Sequence, residues 1–163
     1  MERVAGESRR EMKTNQFTHI DDSGAAKMVD VSGKSVQLRE AVAEGEIHLQ
    51  SATIDLIEQD KIAKGNVLAT ARLAGIMAAK RTGDLIPLCH PLPITHCEVR
   101  FEFPPSKDRI VITASAKISA QTGVEMEALT AVVIAALTIY DMCKAVDKSM
   151  SIQNVRLLSK TKK

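Results

Sequence analysis

The chain has 163 residues, 45% hydrophobic and 26% charged, which is one domain's worth of chain with an ordinary soluble core. Its formal net charge of +2 is too small to imply a nucleic-acid or membrane partner by itself. Three Phe, one Tyr and no Trp leave an aliphatic core and too few rings to hold single-stranded nucleic acid by stacking.

Residues 1–16 are charged and lack periodicity, so a loose tail is expected there, with one domain over 17–163. The run KMVDV at 27–31 reads as a short strand. A longer strand follows over 35–49. Val36 and Leu38 set one register and Ile47 and Leu49 the other, so a bulge is expected at Gly45. Ser51 is a good N-cap for a helix reaching about Ile62. A break at Lys64, Gly65 and Asn66 precedes an Ala-rich helix over 67–80, whose small residues suit close packing. The segment DLIPLCHPLP at 84–93 holds three prolines and cannot be regular helix or central strand. Clean alternation over 94–103 and 109–120, separated by PPSKD, predicts an antiparallel hairpin with one wet face. The longest helix is expected over 124–148, apolar nearly all round between Glu127 and Asp141 and therefore buried on several sides. A strand over 151–158 ends the fold, and the terminal SKTKK is expected to be flexible. Strands and helices in this order predict an α+β sandwich, ferredoxin-like, with helices packed on one face of an antiparallel sheet.

Three cysteines, Cys89, Cys97 and Cys143, form neither a disulfide framework nor a zinc-knuckle spacing. That usage fits a reducing compartment. The polar start shows no apolar leader, and the uncharged run at 128–140 falls short of the roughly 20 residues that span a bilayer. The expectation is a cytoplasmic protein.

Four segments carry reactive side chains. In Leu88-Cys89-His90-Pro91 the prolines fix the backbone, so His90 is either a held proton carrier or a structural imidazole bonded to backbone. Glu125 and Glu127 open the long helix, where acidic residues complement the helix dipole; two residues apart, they point to different sides. Asp141 and Lys144, at i and i+3, share a face as a surface ion pair or an acid/base couple. Lys64-Gly65-Asn66 is either an anion-approaching loop or a bare turn, and it is not a P-loop. Arg39, Lys64, Lys80, Lys144 and Lys160 are scattered cations, of the kind a polyphosphate ester needs to converge. Glu127 and Asp141 lie 14 residues apart, about 21 Å along a helix. If both ends serve one small-molecule site, the second end must come from another chain, as a two-fold interface would supply.

The strings KMVDVS from Lys27, KGNVLATARLAGI from Lys64, DLIPLCHPL from Asp84, TGVEMEALTA from Thr122 and LTIYDMCKAVDK from Leu137 resemble the MoaC family, the cyclic pyranopterin monophosphate synthases of molybdenum-cofactor biosynthesis. The resemblance covers about residues 17–160. It implies a lyase that converts 3′,8-cyclo-7,8-dihydro-GTP, made by a partner radical enzyme, into cyclic pyranopterin monophosphate with release of pyrophosphate. It implies a homohexamer, a trimer of dimers, with sites at the dimer interfaces. Carried over by motif, Asp141 is the acid/base and Lys144 its neighbour, with Lys64 and His90 as further catalytic residues. Leu88, Cys89, His90, Glu125, Met126 and Glu127 would line the substrate site, with Arg39, Lys80 and Lys160 on its phosphates. No redox cofactor is needed for these steps. Magnesium can accompany the phosphates, although no dedicated carboxylate cage is visible in the sequence. A nucleotide-holding module without turnover and an RNA-binding domain of the same fold class are the competing readings. The second is disfavoured by a wet sheet face (His96, Glu98, Arg100, Glu102) that lacks stacking aromatics.

Overall fold

The computed structural model describes residues 23–163. The tail expected at 1–16, and the first residues of the domain expected from 17, lie outside the described residues. The elements are β1 (Gln37–His48), α1 (Ser51–Glu58), α2 (Val67–Ala79), α3 (Thr82–Leu85), β2 (His96–Glu102), β3 (Arg109–Ala120), α4 (Glu125–Cys143) and β4 (Ser151–Lys162). The strands form one sheet in the order β2-β3-β1-β4, every neighbouring pair antiparallel. With α2 and α4 as the two crossovers, the chain reads β-α-β-β-α-β, the pattern of ferredoxin-like folds. The expected α+β architecture is what forms.

Alternation builds the sheet's dry face. In β3, Ile110, Ile112, Ala114, Ala116 and Ile118 are all buried. In β1 the buried positions are Ala41, Ala43, Gly45 and Ile47. Helix α4 packs across β1, β3 and β4 and against α2. It is long and apolar enough to cross a membrane by length and composition, but half of its apolar window is buried in this packing, as befits a core helix. Small residues set the spacing. A Cβ on Gly75 of α2 would sit 2.8 Å from the Ala131 carbonyl oxygen of α4. A Cβ on Gly45 would sit 2.7 Å from Val132 Cγ1.

Several local expectations are corrected. KMVDV is not a strand; the Asp30 carboxylate accepts from Ser32 N–H (2.9 Å) and Lys34 N–H closes a turn onto Val31 O (2.9 Å). Strand β1 has a single register and pairs with β3 without interruption. Val36 and Leu38, 64% and 49% exposed, simply lie on the wet side or before the strand. The irregularities near Gly45 belong to β4, where Asn154 takes φ 53°. Gln50, not Ser51, is the N-cap of α1, and no side chain of its own caps it. Asp147 does so from afar: its carboxylate accepts from Gln50 N–H (2.8 Å) and Thr53 Oγ1–H (3.1 Å), and from Ser149 N–H and O–H. That inward turn ends α4 at Cys143, short of Lys148. The terminal lysines are not a loose tip, since β4 runs to Lys162 and Lys163 exchanges both backbone hydrogen bonds with Leu38.

Candidate active site

The site forms where α4 begins. Strand β3 ends at Ala120, and the turn Gln121-Thr122-Gly123 leads into the helix. Arg39 of β1 pins this turn, donating from Nε to Ala120 O (3.0 Å) and from Nη2 to Gln121 O (3.1 Å). Gly123 lets the Glu125 carboxylate fold back over this turn, into the space that a Cβ there would occupy. Opposite stands the proline-bound loop after α3. Cys89 N–H turns back onto Ile86 O (3.0 Å), and Gly83 supports Pro91 from behind. Between loop and helix start lies a cleft of about 730 Å³, the size of a small-molecule site.

Seven residues expected at the substrate line this cleft: Leu88, Cys89, His90, Glu125, Met126, Glu127 and Lys160. Glu125 receives the Lys160 ammonium at 3.2 Å. Glu127 is only 3% exposed and separates the cleft from a smaller hollow of about 230 Å³ that Lys80 lines. Burial, reinforced by the charge of Glu125, pushes the Glu127 carboxyl above its ordinary range. Burial and the charge of Glu127 likewise raise the Cys89 thiol, so it stays protonated and unreactive. Arg39 borders a third hollow beside Glu125 and Lys160. His90 bonds the backbone: its Nε2 lies 2.9 Å from Val29 O. A carbonyl only accepts, so Nε2 carries a proton, and in the neutral imidazole Nδ1 is the acceptor.

Asp141, Lys144 and Lys64 are not in the cleft. They cluster at the other end of α4, where Asp141 receives Lys64 Nζ and Lys144 Nζ, each at 2.7 Å. Lys64 Nζ also reaches Asp141 O (2.8 Å). Lys144 and then Lys64 hold the Asp141 carboxyl down to about 2, and the same contact raises Lys144. The loop feeding Lys64 is a turn rather than an anion cradle. Gly65 N–H is spent on Ile62 O (3.0 Å), and Asn66 caps α2 by accepting from Ala69 N–H (2.7 Å). The 14 positions from Glu127 to Asp141 keep the two clusters about 21 Å apart along one helix.

Sequence reasoning missed Val29, Val31, Lys34, Ile86, Leu92, Thr122 and Gly123, which complete the lining. All but Lys34 fall within the strings that carry the family resemblance, and that proximity was the available signal. Among the described residues, no group of three or more His, Cys, Asp or Glu side chains is placed to hold a metal ion.

Comparison with known proteins identifies the family. The chain is 58% identical over 146 residues to the cyclic pyranopterin monophosphate synthase of Chloroflexus aurantiacus, covering 90% of each chain. It is 57% identical over 145 residues to that of Desulforapulum autotrophicum, covering 89% of each. It is 58% identical over 145 residues to cyclic pyranopterin monophosphate synthase 3 of Mycobacterium bovis, covering 89% of this chain and 81% of that one. The MoaC family profile matches residues 28–163, a span that takes in every candidate residue above, and the chain belongs to the MoaC family.

Proposed function

We propose that this protein is a cyclic pyranopterin monophosphate synthase. It acts on 3′,8-cyclo-7,8-dihydro-GTP in molybdenum-cofactor biosynthesis and releases pyrophosphate. One observation carries the reading. In a chain 58% identical to such a synthase, a single cleft collects the Leu88–His90 loop, the helix start at Glu125 and Glu127, and Lys160, from three separate stretches of sequence.

The chemistry suits these groups. Opening a dihydropurine ring needs a proton delivered to nitrogen and an activated water. Closing a cyclic phosphate removes a hydroxyl proton and expels pyrophosphate, whose charge must be met by cations. Asp141, ionised between two lysines, is the proton acceptor, and the protonated Lys144 is the donor. Glu127, its carboxyl pushed up by burial, is a second group able to exchange a proton within the cleft. His90 offers Nδ1 as an acceptor, while Arg39, Lys80 and Lys160 ring the cleft and the hollows beside it, on the anionic part of the ligand. Magnesium, if used, arrives with the phosphates. The protomers pair so that Asp141, Lys144 and Lys64 of one chain close the cleft of another, within a hexamer built as a trimer of dimers. Exposed apolar side chains on both long helices, Leu73 and Met77 on α2 and Leu137 on α4, supply surface for such contacts. Three free cysteines suit a reducing cytoplasm.

Incubation with the enzymatically prepared cyclised dihydro-GTP tests the reading through pyrophosphate release. Wild-type protein is expected to release one pyrophosphate per product. Asp141→Asn should lose about 100-fold or more in turnover while its circular dichroism is unchanged. Tight binding without pyrophosphate would replace the enzyme by a nucleotide-holding module.

A further inference from the structure

One buried carboxylate belongs neither to the cleft nor to the cluster at the far end of α4. Asp147 is 1% exposed and follows Asp141 and Lys144 in the same stretch of chain. Among the described residues it has no ion-pair partner, and hydrogen bonds meet its charge instead. Its Oδ2 accepts from Gln50 N–H (2.8 Å) and Thr53 Oγ1–H (3.1 Å). Its Oδ1 accepts from Ser149 N–H (2.9 Å) and Ser149 O–H (2.7 Å). Burial works against ionisation, but the bonds from Gln50, Ser149 and Thr53 outweigh it and hold the carboxyl below its ordinary value. An Asn or Ser side chain would suffice to cap a helix. A carboxylate with both oxygens filled ties two separate stretches of chain together.

Those stretches carry the two lysines of the cluster. On one side, Val146 N–H and Asp147 N–H both return to Cys143 O (2.9 and 3.0 Å), and the turn so formed begins with Lys144. On the other, Gln50 and Thr53 open α1. The end of α1 passes through the bonds Lys61 N–H to Leu56 O (2.8 Å) and Gly65 N–H to Ile62 O (3.0 Å) into the loop that bears Lys64. Lys64 and Lys144 then converge on Asp141, each at 2.7 Å. All three side chains are exposed, so the backbones beneath them set where they meet.

We propose that Asp147 is a positioning residue of the reaction. Bonded to the start of α1 and to Ser149, it holds the turn that bears Lys144 against the segment that leads to Lys64, and so sets both lysines on Asp141. The inference rests on the proposed function for the part these lysines play in turnover, not for their placement.

Pulsed acetylation of the folded protein by acetic anhydride, read lysine by lysine by mass spectrometry, reports placement without activity. Contact with Asp141 raises the Lys144 ammonium, so a loosened Lys144 offers more free amine. Asp147→Asn keeps one accepting oxygen and turns an amide toward the other two donors. It is expected to raise the acetylation rate of Lys144 about threefold, while Lys117, on β3 beside Glu40, keeps its rate. In the pyrophosphate assay kcat should fall about tenfold and KM should change by less than about twofold, since the lining of the cleft is intact. Thr53→Val and Ser149→Ala each remove one donor and should move both readouts the same way by smaller factors. They decide the matter should Asp147→Asn not fold. Asp147→Asn combined with Lys144→Ala should be no slower than Lys144→Ala alone. Wild-type acetylation of Lys144 in a folded Asp147→Asn protein, or in both single-donor variants, would overturn the proposal. So would a lowered Tm with unchanged kcat, which is what a purely structural carboxylate would give. If wild-type protein releases no pyrophosphate, the proposed function fails, and the acetylation pattern still decides whether Asp147 places the lysine.

Discussion

Glu127 and Asp141 are two carboxylates on one helix with opposite electrostatics. Asp141 is exposed and saturated by lysines, whereas Glu127 is buried and, among the described residues, has no cation on it. The raised Glu127 value has a consequence for stability. A carboxyl that is harder to ionise in the fold contributes fully below its ordinary range, and that contribution is lost as pH rises through the folded value. Glu127→Gln removes the cost of ionisation. Its Tm should exceed that of the wild type at pH 7 and the gap should close near about pH 4, while turnover falls because a group able to exchange a proton has gone. Melting curves at the two pH values read this directly, and a lower Tm at both would show that the carboxylate is needed structurally. Some of the site was legible residue by residue. Prolines around His90 and acidic residues at a helix start are local signals, and the i, i+3 pairing of Asp141 with Lys144 appears as an ion pair. The Lys64 contact with Asp141 spans 77 positions and left no local trace. Lys34 stood in a Ser/Gly turn with no periodic context, so only the cleft revealed it.

Elements were legible where one period dominated. Two-residue alternation fixed β3 at Arg109–Ala120, the expected bounds, because one face of that central strand is dry, the other is wet, and both its edges are paired. Ends decided by distant side chains were not legible. Helix α4 stops where Asp147 turns inward to cap α1, and no pattern within 144–148 announces that partner. The small residues of α2 predicted close packing, the structure supplies α4 as the neighbour, and the contact allows a sharp test. Gly75→Ala gains up to about 1 kcal/mol of helix propensity. Against that, the new methyl would meet the Ala131 carbonyl oxygen at 2.8 Å and Val99 Cγ2 at 3.2 Å. A backbone oxygen in a core helix cannot swing aside as a side chain can, so overpacking of about 1–3 kcal/mol should win. Thermal denaturation should show Tm lowered by roughly 2–4 °C for each net kcal/mol. An unchanged or higher Tm would mean that the two helices have slack between them.

At the scale of the whole molecule, a single protomer separates Asp141 and its two lysines from its cleft. In one chain Asp141 is exposed and held at about 2, too weak a base for proton transfer near neutrality. Burial by a second protomer would disfavour its charge and bring it toward a working value. The same burial would set the triad against a ligand that the first protomer holds. An isologous pair then makes two composite sites, each with a cleft from one chain and a triad from the other. This predicts complementation. Asp141→Asn spoils only the triad and Glu127→Gln only the cleft. In a mixed dimer one site inherits both lesions and the other inherits neither. With random exchange half of the dimers are mixed, so about a quarter of all sites are restored, and activity should rise from near zero to about a quarter of wild type. Refolding or exchanging the two variants together, with mixed dimers verified by native mass spectrometry, and then assaying pyrophosphate gives the measurement. Verified mixed dimers without recovered activity would mean that each chain completes its own site, and the 21 Å between the ends of α4 would then have to be bridged by a movement of the fold itself.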